Sequence, residues 1–114
     1  MADCIFCKII SGEIPSSKVY DDETVMAFND VSPEAPVHVL IVPKAHISSA
    51  NDITEENAQV VSKIFLAAKK IAEDMNIAED GYRIVNNCGE NGGQSVKHLH
   101  FHLIGGRSLN WPPG

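Results

Sequence analysis

Polar and apolar residues alternate near the end of the chain, through His98-Leu99-His100-Phe101-His102, and Leu103 and Ile104 continue the apolar run. A period of two is that of a β-strand, so the three imidazoles are expected to leave one face while Leu99, Phe101 and Leu103 leave the other. Shorter apolar runs predict further strands at Lys18 to Asp21 and Thr24 to Asn29, joined through Asp22-Glu23 as a hairpin. Val37 to Val42, rich in β-branched residues and stopped by Pro43, predicts another, and so does Tyr82 to Asn86 after Gly81.

Between the third and fourth strands the period changes. Val61, Ile64, Phe65, Ala68, Ile71, Ala72 and Met75 recur at steps of three and four, which predicts a helix from about Glu55 to Met75 with Thr54 as its N-cap. Cys4 to Ser11, ended by Gly12, predicts a short N-terminal helix. Strands in pairs with one long helix between them imply an α+β fold and a mainly antiparallel five-stranded sheet, in a single domain spanning 1–114.

Composition narrows the function. A formal net charge of −6 argues against a broad nucleic-acid-binding surface. No run approaches the roughly 20 apolar residues that span a membrane. The start, Met1-Ala2-Asp3-Cys4-Ile5-Phe6, does not read as a signal peptide, and a soluble, cytoplasmic protein is expected.

Three histidines on one strand face suit proton transfer, nucleophilic attack or metal ligation better than they suit a merely solvated surface. The segment Gly92-Gly93-Gln94-Ser95 just before them offers a close backbone approach together with an amide and a hydroxyl, a candidate anion cradle. A central histidine attacking phosphorus, flanked by one ring that fixes its tautomer and another that protonates the leaving group, makes phosphoryl or nucleotidyl transfer the expected reaction. Cys4 and Cys7 have C-x-x-C spacing, open to three readings: a zinc half-site completed by His46 and His98, a redox dithiol, or two inert thiols.

His98-Leu99-His100-Phe101-His102-Leu103-Ile104 resembles the histidine-triad signature. Ser32-Pro33 with Ala35-Pro36, Pro43-Lys44 with His46-Ile47, Gly92-Gly93-Gln94-Ser95-Val96 and the terminal Trp111-Pro112-Pro113-Gly114 extend the resemblance over essentially the whole chain, toward the nucleotide-binding Hint branch. That resemblance implies a homodimer that hydrolyses purine nucleoside 5'-phosphoramidates to the nucleoside monophosphate and an amine, without an organic cofactor.

In the same terms His100 is the nucleophile, His102 lies near the scissile phosphate and His38 supports the triad. Asn87, Gly93, Gln94 and Ser95 contact phosphate or leaving group. Asp30 binds the ribose hydroxyls, and Ile5, Phe6, Ile14, Phe28 and Val31 wrap the base. Trp111 reaches toward the partner's site. The C-x-x-C resembles bacterial members in which Cys4, Cys7, His46 and His98 would hold structural zinc, which would make His98 structural rather than catalytic. A dinucleoside polyphosphate hydrolase and a nucleotide- or partner-binding module are the alternatives.

Overall fold

Five strands form one sheet in the order β1-β2-β3-β5-β4, with every neighbouring pair antiparallel. They are β1 (Lys18–Asp21), β2 (Val25–Asn29), β3 (Val37–Pro43), β4 (Tyr82–Val85) and β5 (Phe101–Gly105), accompanied by helices α1 (Ile5–Ser11) and α2 (Gln59–Asp74). The structure is a computed structural model and describes residues 4–114. Among the described residues no helix is long and apolar enough to cross a membrane.

Local chemistry sets the element ends. The Cys4 side chain caps α1 by accepting from the Cys7 N–H at 3.3 Å, and Gly12 closes the helix with φ of 88°, a left-handed conformation that costs glycine little. Asp22 Oδ1 accepts from the N–H groups of Thr24 and Val25, both at 2.8 Å, and so turns β1 into β2.

Alternation then sorts the strands' side chains onto two faces. Val25, Ala27, Val39, Ile41, Phe101 and Leu103 point toward α2, where Ile64, Ala67, Ala68, Ile71 and Ala72 complete the main core. Met26, Phe28, Leu40 and Val42 point the other way and pack with Phe6 of α1. His38 and His102 share this second face, because each lies two residues from Leu40 or directly opposite it in the β3–β5 register.

Two predicted boundaries move by more than one residue. The long helix begins at Gln59 rather than Glu55. Thr54 does not cap it; its N–H donates to Asn57 Oδ1 at 2.7 Å, and the Asn57 amide also reaches the Asp52 carbonyl at 3.3 Å. That local asparagine bonding competes with the helical ladder and holds the segment as turns. The last strand begins at Phe101 rather than His98, since the Leu99 N–H leaves the ladder for the Ile47 carbonyl. On α2 the apolar face also rotates slightly: Val60 and Ala67 are buried, whereas Phe65 rests against Phe101 yet stays 47% exposed.

Ile64, with no exposed surface, should cost about 2–5 kcal/mol when cut to alanine, because both burial and packing are lost. Urea denaturation of Ile64→Ala beside Phe65→Ala measures this. Equal losses for the two would contradict the placement of α2.

Candidate functional site

The histidines meet because of the β3–β5 register. His38 pairs with Ile104, so His102 is its diagonal neighbour on the same face, and His38 Nε2 lies 2.9 Å from His102 Nδ1. Two lone pairs do not approach so closely, so one nitrogen carries the proton. The Glu34 backbone N–H donates to His38 Nδ1 at 3.0 Å, which places the proton of neutral His38 on Nε2. His38 therefore donates to His102, and neutral His102 is left with its own proton on Nε2.

His100 has the opposite tautomer. Its Nδ1 lies 2.7 Å from the His98 carbonyl; a carbonyl only accepts, so Nδ1 carries the proton and Nε2 the lone pair. The ring is 4% exposed and its Nε2 has no partner among the described residues. Since no buried side-chain nitrogen or oxygen among them lacks a partner, that nitrogen keeps some exposed surface. Phe6 meets the ring edge-to-face at 5.1 Å, and His102 lies 5.2 Å away between ring centres. The Asn86 amide holds the His100 carbonyl at 2.9 Å, a support that a lone asparagine in the sequence did not signal.

Electrostatics keep His102 neutral. Burial, with lesser repulsion from His100 and His38, pushes its pKa down to about 4, against a smaller opposing pull from Asp30. Asp30 Oδ2 stands 3.5 Å from His38 Nε2, while its Oδ1 accepts from the Ser32 N–H at 2.8 Å.

The loop before the histidines is self-braced. A side chain on Gly92 would collide with the Cys88 carbonyl oxygen, so close packing of the loop on itself already requires glycine there. Gly93 has φ of 79°. The Gln94 carboxamide donates to the Ser48 and Val96 carbonyls at 2.7 and 3.0 Å and accepts from the Gly89 N–H at 3.0 Å. Both its N–H donors are thereby engaged within the protein. Asn87 is half-buried beside this loop and Ser95 is exposed.

The remaining site residues of the sequence reading are not all drawn together. Phe6 and Phe28 are buried against each other, with ring centres 5.6 Å apart. Ile14 is half-buried, whereas Ile5, Val31 and Trp111 are 46%, 97% and 81% exposed.

Cys4, Cys7, His46 and His98 do converge, with one ligand atom from each all within 4.8 Å of one another. Cys4 Sγ and Cys7 Sγ lie 3.3 and 3.6 Å from His98 Nδ1, and Cys7 Sγ lies 3.3 Å from His46 Nδ1. His98 Nε2 donates to the Pro43 carbonyl at 2.9 Å, which turns the Nδ1 lone pair toward the sulfurs. Two thiols and two imidazoles so oriented are a donor set that fits a four-coordinate zinc ion.

Residues 11–109 match the family model of the HIT domain. The chain belongs to the HIT family. This HIT protein is 50% identical over 107 residues to the purine nucleoside phosphoramidase of Escherichia coli, an alignment covering 94% of this chain and 90% of the relative. It superimposes on a HIT family hydrolase from Legionella pneumophila with a TM-score of 0.96 at 46% identity, covering 98% of this chain and all of the other. A HIT family hydrolase from Clostridium thermocellum gives 0.95 at 53% identity, covering 96% of each chain.

Because native His102 titrates below its ordinary range, the unfolded chain binds more protons between the two values. Stability should therefore fall as pH drops from about 6.5 toward about 4. In an NMR titration His102 should remain neutral until near the lower value; a midpoint at an ordinary histidine value would refute this environment.

Proposed function

We propose that this HIT protein hydrolyses purine nucleoside 5'-phosphoramidates through a nucleotidyl-histidine intermediate. The observation that carries the reading is the unengaged Nε2 lone pair of His100, fixed by the Nδ1–H bond to the His98 carbonyl. His100 Nε2 attacks the phosphorus, a P–N bond to the ring forms and the substrate's P–N bond breaks. The amine departs with the bonding pair, its nitrogen having taken a proton from solvent, while the Nε2–H of neutral His102 hydrogen-bonds a phosphoryl oxygen and polarises the phosphate. Water then attacks the phosphorus and gives its proton to solvent, the bond to the imidazole breaks and the nucleoside monophosphate leaves. The Escherichia coli relative, by its name a purine nucleoside phosphoramidase, supports this substrate class.

In this reading Asp30 accepts from the ribose hydroxyls, a role suited to an acceptor-only carboxylate at the rim of the histidines. Ile5, Ile14 and Val31, with the buried edges of Phe6 and Phe28, flank the base. Asn87, Gly93 and Ser95 approach the phosphate or leaving group, and Gln94 serves mainly by fixing the loop's shape.

A homodimer completes the site, with Trp111 of one protomer reaching toward its partner's. Phe65 and Leu66, exposed on α2, and the open edge of β4 support such a pairing. The same reading makes the protein cytoplasmic. Zinc held by Cys4, Cys7, His46 and His98 would be structural, tying α1 to the end of β3 and to the start of the histidine segment.

His100→Ala should lower turnover by several orders of magnitude while purine monophosphate binding stays nearly unchanged. The assay uses an adenosine 5'-phosphoramidate beside a dinucleoside polyphosphate. Near-normal turnover by the variant would remove the covalent mechanism, and faster cleavage of the polyphosphate by the parent would favour the alternative hydrolase.

Elemental analysis should find about one zinc per chain. Cys4→Ser with Cys7→Ser should lower the melting temperature more than the turnover rate. Metal-free parent protein with unchanged melting in the double variant would refute the site.

A further inference from the structure

We propose that Gly106 and Arg107 clamp the Pro33–Pro36 turn and thereby select the ring tautomers of His38 and His102. The proposal rests on the function inferred above only for its catalytic consequence. Proline has no N–H, so in Pro33-Glu34-Ala35-Pro36 the only backbone donors are those of Glu34 and Ala35. The Glu34 donor is committed to His38 Nδ1, at 3.0 Å.

Two contacts from the chain just beyond β5 hold that turn in place. Arg107 Nη2 donates to the Glu34 carbonyl at 2.8 Å. Gly106, with φ of 92°, lies so close that a side chain there would meet Pro36 Cβ at 2.9 Å and the Val37 nitrogen at 3.5 Å. The pairing of Val37 with Gly105, the last of the β3–β5 ladder, carries the two segments together. A line of hydrogen bonds thus runs from the Arg107 guanidinium through the Glu34 backbone to His38 and on to His102 Nδ1.

The consequence is directional. With Nδ1 of His38 occupied as an acceptor, its Nε2 must donate, His102 Nδ1 must accept, and His102 Nε2–H faces the substrate as a hydrogen-bond donor. If the turn relaxes and Glu34 N–H withdraws, His38 can hold its proton on Nδ1. His102 then donates through its own Nδ1, and its Nε2 becomes a lone pair that cannot hydrogen-bond a phosphoryl oxygen. Arg107 is exposed, so it is a positioning residue that acts entirely through the turn.

The test is long-range proton–nitrogen NMR on histidine-labelled full-length chains, with kcat and KM measured on the same samples. The parent should show pyridine-like Nδ1 and pyrrole-like Nε2 signals for both His38 and His102. In R107A both rings should move toward averaged values, kcat should fall about tenfold through the lost N–H donor to the phosphate, and KM should change by less than about threefold. R107K, which keeps one donor for the Glu34 carbonyl, should lie between the two, and it supplies the reading should the alanine variant not fold. Parent-like ring signals in whichever variants fold overturn the clamp, as does a parent whose His38 carries its proton on Nδ1. Tautomers that shift as described in a protein that turns over no phosphoramidate would instead refute the proposed function and leave the clamp in place.

Discussion

The antiparallel pairing of β3 with β5 is the constraint on which the histidine face depends. It sets Leu40 against His102 and His38 against Ile104, so that two imidazoles touch across the ladder and share a proton. The other side of the same two strands carries Val39, Ile41, Phe101 and Leu103 into the core beneath α2. A slip of one residue would exchange those sets, carrying the imidazoles into the main core beneath α2 and that core's apolar side chains onto the other face. Core packing thus specifies the register, and the register specifies the chemistry.

Backbone groups then do what the side chains alone cannot. His38, His98 and His100 each have one ring nitrogen committed to the main chain: to the Glu34 N–H, the Pro43 carbonyl and the His98 carbonyl. Three similar imidazoles thereby present different free nitrogens. His98 offers a lone pair to the cysteine sulfurs, His100 an unengaged lone pair, and His38 a proton to His102. Selecting a tautomer by a fixed backbone partner needs no charged group in the cavity, which suits a face where burial holds His102 neutral.

Much of this was legible in the residue pattern. Alternation around His98–His102 assigned the two faces correctly, even though His98 and His100 lie ahead of β5 rather than in it. The side chains keep a strand-like phase because Leu99 is fixed by Ile47 and Asn86 fixes His100. The spacing of Cys4 and Cys7 left three readings open, and only the fold brings His46 and His98 to them. Boundaries failed where side-chain amides compete with the backbone, as Asn57 does ahead of α2. Gln94 bonding to Ser48 and Arg107 to Glu34 leave no periodic trace, because each joins loops distant in sequence through a main-chain carbonyl that any residue supplies. The glycine at 92 was legible as a close approach, but the approaching group is the chain's own Cys88.

The central claim is that His100 presents Nε2 as the nucleophile and His102 presents an N–H donor. Rapid quenching of the protein into base during turnover of an adenosine 5'-phosphoramidate, followed by peptide mass spectrometry, tests it most directly, since a phosphorus–imidazole bond survives alkali. A nucleoside monophosphoryl group on His100, absent when His100 is alanine, is the expected result. A nucleotidyl group on His102, or rapid turnover with no adduct trapped at any time, would contradict the claim.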